Sequence, residues 1–235
     1  IYDNRYAITY LDENGNIQHW SSQTIKGSIQ GAGITPDGGM IVVGTIDYDF
    51  VTPFIAKYDS IGHVEWFRPQ SGQAYIHAAT GNDYSDSIIA GLFHGAATFG
   101  DWNLISEKKD GTGYVGLREH HTGEWQWVAT TGGTGDVNIN VVTPDGQGGV
   151  FVGGSLTNTV DFGSQRTYDS GPYGYRQPFV AHLNSTGHWQ WVTRATTSSS
   201  GWGEVNDIAV MSDGGIAVTG DFSYYLYWDG VYGID

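Results

Sequence analysis

The residues best suited to chemistry fall into acidic stretches, histidines and aromatic loops. "LDENGN" at 11–16 sets Asp12, Glu13 and Asn14 in a row as oxygen donors, which is how a calcium loop begins. The rest of that pattern is missing. The aligned stretches "YDSIGH", "EHHTGE" and "LNSTGH" make the position a hairpin turn first. Asp47, Asp49, Asp83 and Asp86 are further calcium candidates if folding gathers them. None is assigned, so no cofactor is expected, with calcium left open. The eight histidines show no zinc spacing, and no metal ligand is assigned among them. His120-His121 falls in a turn, where adjacent side chains are expected to diverge. His63 and His188 share a turn-exit slot with Asn16 and Glu124, so that slot tolerates any polar residue.

Catalytic signatures fail on context. "GTGYVG" at 111–116 fits the dinucleotide glycine pattern, but a strand follows it where a helix is needed to meet the phosphates. No G-x-S-x-G elbow is present, and Ser198–Ser200 reads as a loop. Nothing singles out a carboxylate pair for glycoside hydrolysis among 25 acidic residues. Asn184-Ser185-Thr186 matches a glycosylation sequon at a turn. No catalytic residue is therefore assigned.

Two long segments that differ between repeats suit binding better. They are "GDWNLISEKKDGTG" at 100–113 and "GSQRTYDSGPYGYRQP" at 163–178. Trp102, Arg166, Tyr168, Tyr173, Tyr175 and Arg176 are the candidate ligand-binding residues. Tyrosine, tryptophan and arginine beside flexible glycine are the usual material of binding surfaces.

Something must hold these loops in place. The chain has 235 residues, 36 of them glycine, with 14% aromatics, six prolines and no cysteine. That composition predicts many short strands joined by tight turns, without disulfides or thiolate metal sites. Twenty-five acidic against ten basic residues give a net charge of −15, which disfavours nucleic acid and anionic membranes as partners. No apolar run is long enough to span a bilayer. No leader pattern is read behind Ile1, as expected of a mature product or a fragment.

The organisation is repetitive. "YAITYLDENG", "PFIAKYDSIG", "YVGLREHHTG" and "PFVAHLNSTG" each precede a strand ending in Trp20, Trp66, Trp127 or Trp191. A hairpin recurs as "ITPDGGMIVVG", "GNDYSDSIIAG", "VTPDGQGGVFVGG" and "VMSDGGIAVTG"; the second lacks Asp-Gly, so its tip should differ. Units of about 1–52, 53–112, 113–177 and 178–235 follow, each with about four antiparallel strands. The expected fold is one all-β domain, a β-propeller of four repeats. Its complete blades should run hairpin-first over about 31–67, 75–128 and 137–192. A fourth blade, shared by the two termini, would pair 6–11 with 215–221. The repeated tryptophans should pack between blades, with Trp125 and Trp127 on one face and Trp189 and Trp191 likewise. Small residues at Thr9, Ala56, Gly116 and Ala181 leave room for a bulky neighbour.

"PFVAHLNSTGHWQWVTR…DIAVMSDGGIAVTGDF", "PFIAKYDSIGHVEW" and "VTPDGQGGVFVGG" resemble the bacterial SBBP-type β-propeller repeats. The resemblance spans essentially the whole chain. It implies a propeller in a secreted or surface context, and no chemistry. The expected function is a non-enzymatic, extracellular or surface-displayed binding or adhesion module. It would act on a protein or glycan ligand through its variable aromatic loops, alone or within a larger chain or assembly. The alternatives are a lectin-like propeller and a glycan hydrolase or lyase.

Overall fold

The computed structural model describes residues 5–24, 27–46, 52–108, 111–165, 167–169, 175–197, 201–228 and 231–233. The protein is all-β: strands make up 68% of it and no helix occurs among the described residues. β1 (Arg5–Leu11) and β2 (Ile17–Thr24) form a separate hairpin. β3 (Gly27–Ile34), β4 (Met40–Ile46), β5 (Thr52–Tyr58) and β6 (Val64–Pro69) make a four-stranded antiparallel meander. The next sheet uses β7 (Ser71–Gly81), β8 (Ser87–Phe99), β9 (Trp102–Ser106), β10 (Thr112–Arg118) and β11 (Trp125–Thr130). Its order is β7-β8-β10-β11, with β9 added on the far half of β8.

After β12 (Gly132–Gly133), the third sheet begins with β13 (Val137–Pro144) and β14 (Val150–Leu156). β15 (Thr159–Asp161) and β16 (Thr167–Asp169) join β12 in a small ribbon. β17 (Gln177–Leu183) and β18 (Trp189–Thr197) complete the sheet in the order β13-β14-β17-β18. β19 (Gly203–Val210) and β20 (Ile216–Phe222) form a last hairpin. β21 (Leu226–Trp228) and β22 (Val231–Gly233) extend the third sheet from β18.

The sheets run hairpin-first, as the repeat predicts, and they stack in chain order. Each central strand is apolar on both faces, because successive residues serve successive interfaces. Val42 and Phe54 meet Ile8 of β1, while Ile41, Val43 and Ile55 meet Ile76, Ile89 and Tyr114 of the second sheet. Ile88, Ala90 and Leu117 then meet Val137, Val152 and Phe179 of the third. Phe151 and Val180 in turn meet Val205 and Ile208 of β19. The expected blade shared by the termini does not form within the chain. Among the described residues, β1 pairs only with β2, and β20 only with β19. Ile8 finds its apolar cover on β4 and β5 instead.

One irregularity recurs in every repeat. The strand carrying the tryptophan holds one residue more than its partner just after the turn. The extra residues are Gln18, Glu65, Gln126 and Gln190, each a β-bulge. The bulge corrects two expectations. It turns the tryptophans of each W-Q-W to opposite faces: Trp125 joins the apolar cluster shared with the first sheet, and Trp127 the cluster shared with the third. It also sets Tyr10 opposite His19, as Lys57 faces Trp66, Leu117 faces Trp127 and His182 faces Trp191. His19, not Trp20, is therefore the first unit's equivalent of these tryptophans.

The outward-turned tryptophan clasps the next sheet. Trp66 Nε1 donates to the His120 carbonyl at 2.7 Å, and Trp127 Nε1 to the Ser185 carbonyl at 3.0 Å. Each indole lies on a turn glycine. A Cβ at Gly123 would come 2.8 Å from the Trp66 ring, and one at Gly187 2.7 Å from the Trp127 ring. Both glycines have positive φ, so the turn conformation and the close approach demand the same residue. At Gly116, a Cβ would come 2.4 Å from Trp125, which explains the small residue predicted there.

Trp66 is 5% exposed, Trp127 is half-buried and Trp191 is 38% exposed, so burial of all three fails at the end of the series. Trp191 packs on Phe151 and His182 of its own sheet, with no further turn above it. Trp66→Ala should accordingly cost about 3–5 kcal/mol in urea denaturation, and Trp191→Ala less than about 1.5 kcal/mol.

Candidate functional site

The aromatic loops are more structured than a loop reading implies. Trp102 opens β9 and packs, half-buried, against the cluster containing Phe99 and Trp125. Tyr168 lies in β16, but its side chain is outside the described residues. Arg166 and Tyr173 also lie outside them, as do Asp47, Asp49 and Ser198–Ser200. Tyr175 is half-buried and Arg176 exposed. Arg176 lines a 160 Å³ cavity with Asp136, Asn138 and Thr157, away from Trp102. Lys108, in the first of these segments, donates to the carbonyls of Gly132 and Gly135, at 3.0 and 2.9 Å, and so fixes its end to the connection between β11 and β13. Burial lowers the pKa of its ammonium.

The acidic turn residues have a structural task. Asp12 Oδ1 accepts the N–H groups of Asn14 and Asn16 at 2.9 and 2.8 Å. Asp59, Asn82, Asp145 and Asn184 each repeat this two-bond cap over a five-residue turn. Side chains that cap backbone donors in this way fix a tight turn. "LDENGN" is thus one of a set of capped turns, and Asp12 spends its carboxylate on that cap.

Two places break the set, and they meet. The hairpin tips end on Gly39, Gly149 and Gly215, but the second sheet has Asp86 at this position. The turn between third and fourth strands spans 59–63 and 184–188, whereas in the second sheet it is one residue longer, 119–124. That longer turn carries Glu119, His120 and His121, whose ligand atoms all lie within 4.8 Å of one another. His120 Nδ1 is 3.2 Å from Glu119 Oε1 and 3.4 Å from Asp86 Oδ1. The imidazoles of His120 and His121 do not diverge; their centroids are 3.6 Å apart. The sequence shows the missing Asp-Gly at the tip, but not the longer turn, because "EHHTGE" aligns residue for residue with "YDSIGH" and "LNSTGH", nor that the two meet.

Behind the turn lies a buried cation. Arg118 stacks 4.1 Å from the Trp125 ring centroid and donates to the Gly123 carbonyl and to Gln70 Oε1. Its burial pulls the guanidinium pKa down to about 10. The Glu119 carboxyl is raised by burial, but the N–H groups of Thr122 and His121 outweigh this and bring it to about 2.

A wide opening lies elsewhere. A 570 Å³ groove runs between the third sheet and β20, lined by Val180, Val205, Ile216, Val218, Phe222 and Trp228 among others. It lies along the edge where the complete sheets carry their third strand.

Asp145 offers a test by pH. Burial raises its carboxyl, yet His182 Nε2 at 2.8 Å and the N–H groups of Gln147 and Gly149 lower it overall. A lowered folded pKa stabilises the protein above the ordinary carboxylate value, and that gain is lost as pH falls toward the folded value. Asp145→Asn keeps the cap, as Asn82 and Asn184 do. It should flatten the fall in melting temperature as pH drops below about 5, through the ordinary carboxylate value toward the lower folded one.

No known protein family matches the chain, and no characterised protein does.

Proposed function

We propose that the chain is a β-propeller-type repeat module that works by binding rather than catalysis, displayed outside the cell or on a cell or particle surface. Three stacked hairpin-first meanders with two half-sheets support the propeller reading. The SBBP-type resemblance supports the same architecture and setting.

The observation that carries the proposal is the open edge of β20 beside the apolar groove. A strand edge next to side-chain pockets takes up an extended partner strand by main-chain pairing. Three times in this chain, the strand in the place of β20 pairs with one in the place of β1. Met40 faces Tyr58, Ser87 faces Arg118, and Val150 faces Leu183. The same register sets Ile216 opposite Leu11 and Gly220 opposite Ala7. Leu11 is 59% exposed, while its equivalents Tyr58 and Leu183 are 1% and 0% exposed. Its bareness is that of a strand without its neighbour.

The β1–β2 hairpin of a second copy is thus the occupant that fits best, giving head-to-tail assembly. Two chains closed on each other carry eight four-stranded sheets, within the usual size of propellers. Such a ring removes both bare edges. The aromatic insertions then remain for a protein or glycan ligand.

A lectin-like reading is favoured only by the exposed rings of Trp20, Trp191 and Trp202. Binding on a glycan array that Trp202→Ala abolishes would favour it. Release of sugar from a polysaccharide would contradict the absence of catalysis.

The expected result in sedimentation is a mass above one chain as concentration rises. Leu11→Lys should return it to the single-chain mass without changing the far-ultraviolet spectrum. A single-chain mass at every concentration, with the β20 amides open to hydrogen exchange, would overturn the proposed assembly.

A further inference from the structure

We infer that Asp86, Glu119, His120 and His121 form a binding site for a divalent transition-metal ion of the zinc class. The argument begins with the repeat. At the tips of the first and third sheets no side chain fits where Asp86 stands. A Cβ at Gly39 would come 2.4 Å from the Tyr58 carbonyl oxygen, and one at Gly149 2.5 Å from that of Leu183. In the second sheet the facing turn is one residue longer, and Asp86 is accommodated there. The two departures therefore go together. They also carry a local conformational cost: Ser85 has φ 65°, where the other tips have Gly38, Gly148 and Gly214. A repeat that keeps its turns regular elsewhere departs here twice; the longer turn gathers Glu119, His120 and His121, and the altered tip sets Asp86 beside His120.

The distances suit a small ion. Zinc binds nitrogen and oxygen at about 2.0–2.1 Å, so the edges of its tetrahedron run about 3.3–3.4 Å. His120 Nδ1 stands 3.2 Å from Glu119 Oε1 and 3.4 Å from Asp86 Oδ1. His121 brings a second imidazole to the same cluster. Two imidazoles with two carboxylates suit zinc, nickel or copper, whereas calcium and magnesium prefer oxygen alone.

The ligands are also held from behind, as metal ligands need to be. Trp66 Nε1 donates to the His120 carbonyl, and the His120 N–H donates to Asp86 Oδ1 at 3.1 Å. Asn82 Nδ2 donates to Asp86 Oδ2 at 3.3 Å. Glu119 Oε2 accepts from the His121 N–H, the Thr122 N–H and Thr122 Oγ1, which leaves Oε1 for an ion. The site lies on the inter-sheet clasp itself, so binding would stiffen the joint between the first and second sheets.

A plain ion pair between His120 and the two carboxylates is the competing account, and it gives His121 no part. Calorimetric titration of the chelator-treated full chain with zinc chloride separates the two. The expected result is saturable binding of one ion per chain, with at least a tenfold loss of affinity in His121→Ala and in Asp86→Gly. His63→Ala and His188→Ala, in the corresponding turns, should bind as the parent does. His121 is exposed, so its removal leaves the fold intact. Cobalt substitution adds a direct readout, a visible absorption band of four-coordinate cobalt that His121→Ala removes. Absence of saturable binding up to millimolar zinc would overturn the inference. So would binding that survives His121→Ala and Asp86→Gly unchanged.

Discussion

The structure depends on the bulge that follows each turn between third and fourth strands. One extra residue there rotates the strand, so that Trp66 and Trp127 leave their own sheets and reach the following ones. Without it, Trp66 and Trp127 would fall on the face of Val64 and Trp125. The indole N–H would then miss the turn carbonyl, and the turn glycine would have no ring to rest on. The bulge thus joins the three complete sheets into a stack with a fixed direction. Apolar burial between sheets is the larger energy, but it is non-directional. The clasp sets the spacing and order in which that burial occurs.

A directional joint leaves two unlike ends. Among the described residues, one end has Trp191 with no turn to clasp, next to β20 with no third strand. At the other stands the turn at 12–16, where a Cβ on Gly15 would touch nothing, next to β1 with no second strand. The missing parts of each end are present at the other. Heterologous ends of this kind close into rings or continue as open arrays. The same joint also explains where variation is tolerated. Insertions such as β9 and β15–β16 hang from sheets already fixed on both faces, so they change without disturbing the stack.

Much of this was legible in the sequence, because a repeat displays its rules several times. The hairpin-first grouping, the hairpin turns and the small residue at Gly116 all follow from aligned stretches; the side-chain caps of those turns do not. The bulge was not legible, since Gln126 and Gln190 look like any polar residue in an alternating strand. From that one omission came the wrong faces for each W-Q-W and the choice of Trp20 over His19. Exposure of Trp191 was hidden for a different reason: burial depends on the next sheet, and sequence identity between units does not say which unit is last. Of the aromatic insertions, Trp102 packs half-buried against the core cluster, which depends on the neighbouring strands and not on the residue type. The histidine cluster required knowing that a hairpin tip and a turn 34 residues apart are neighbours.

The clasp is tested most directly by a double-mutant cycle between Trp127 and Gly187 in chemical denaturation. Gly187→Ala should be costly in the parent, where its Cβ meets the indole, and much cheaper in the Trp127→Ala background. The coupling should fall within about 0.5–3 kcal/mol. Additive costs, with a coupling near zero, would mean that the ring and the turn do not depend on each other, and would contradict the account.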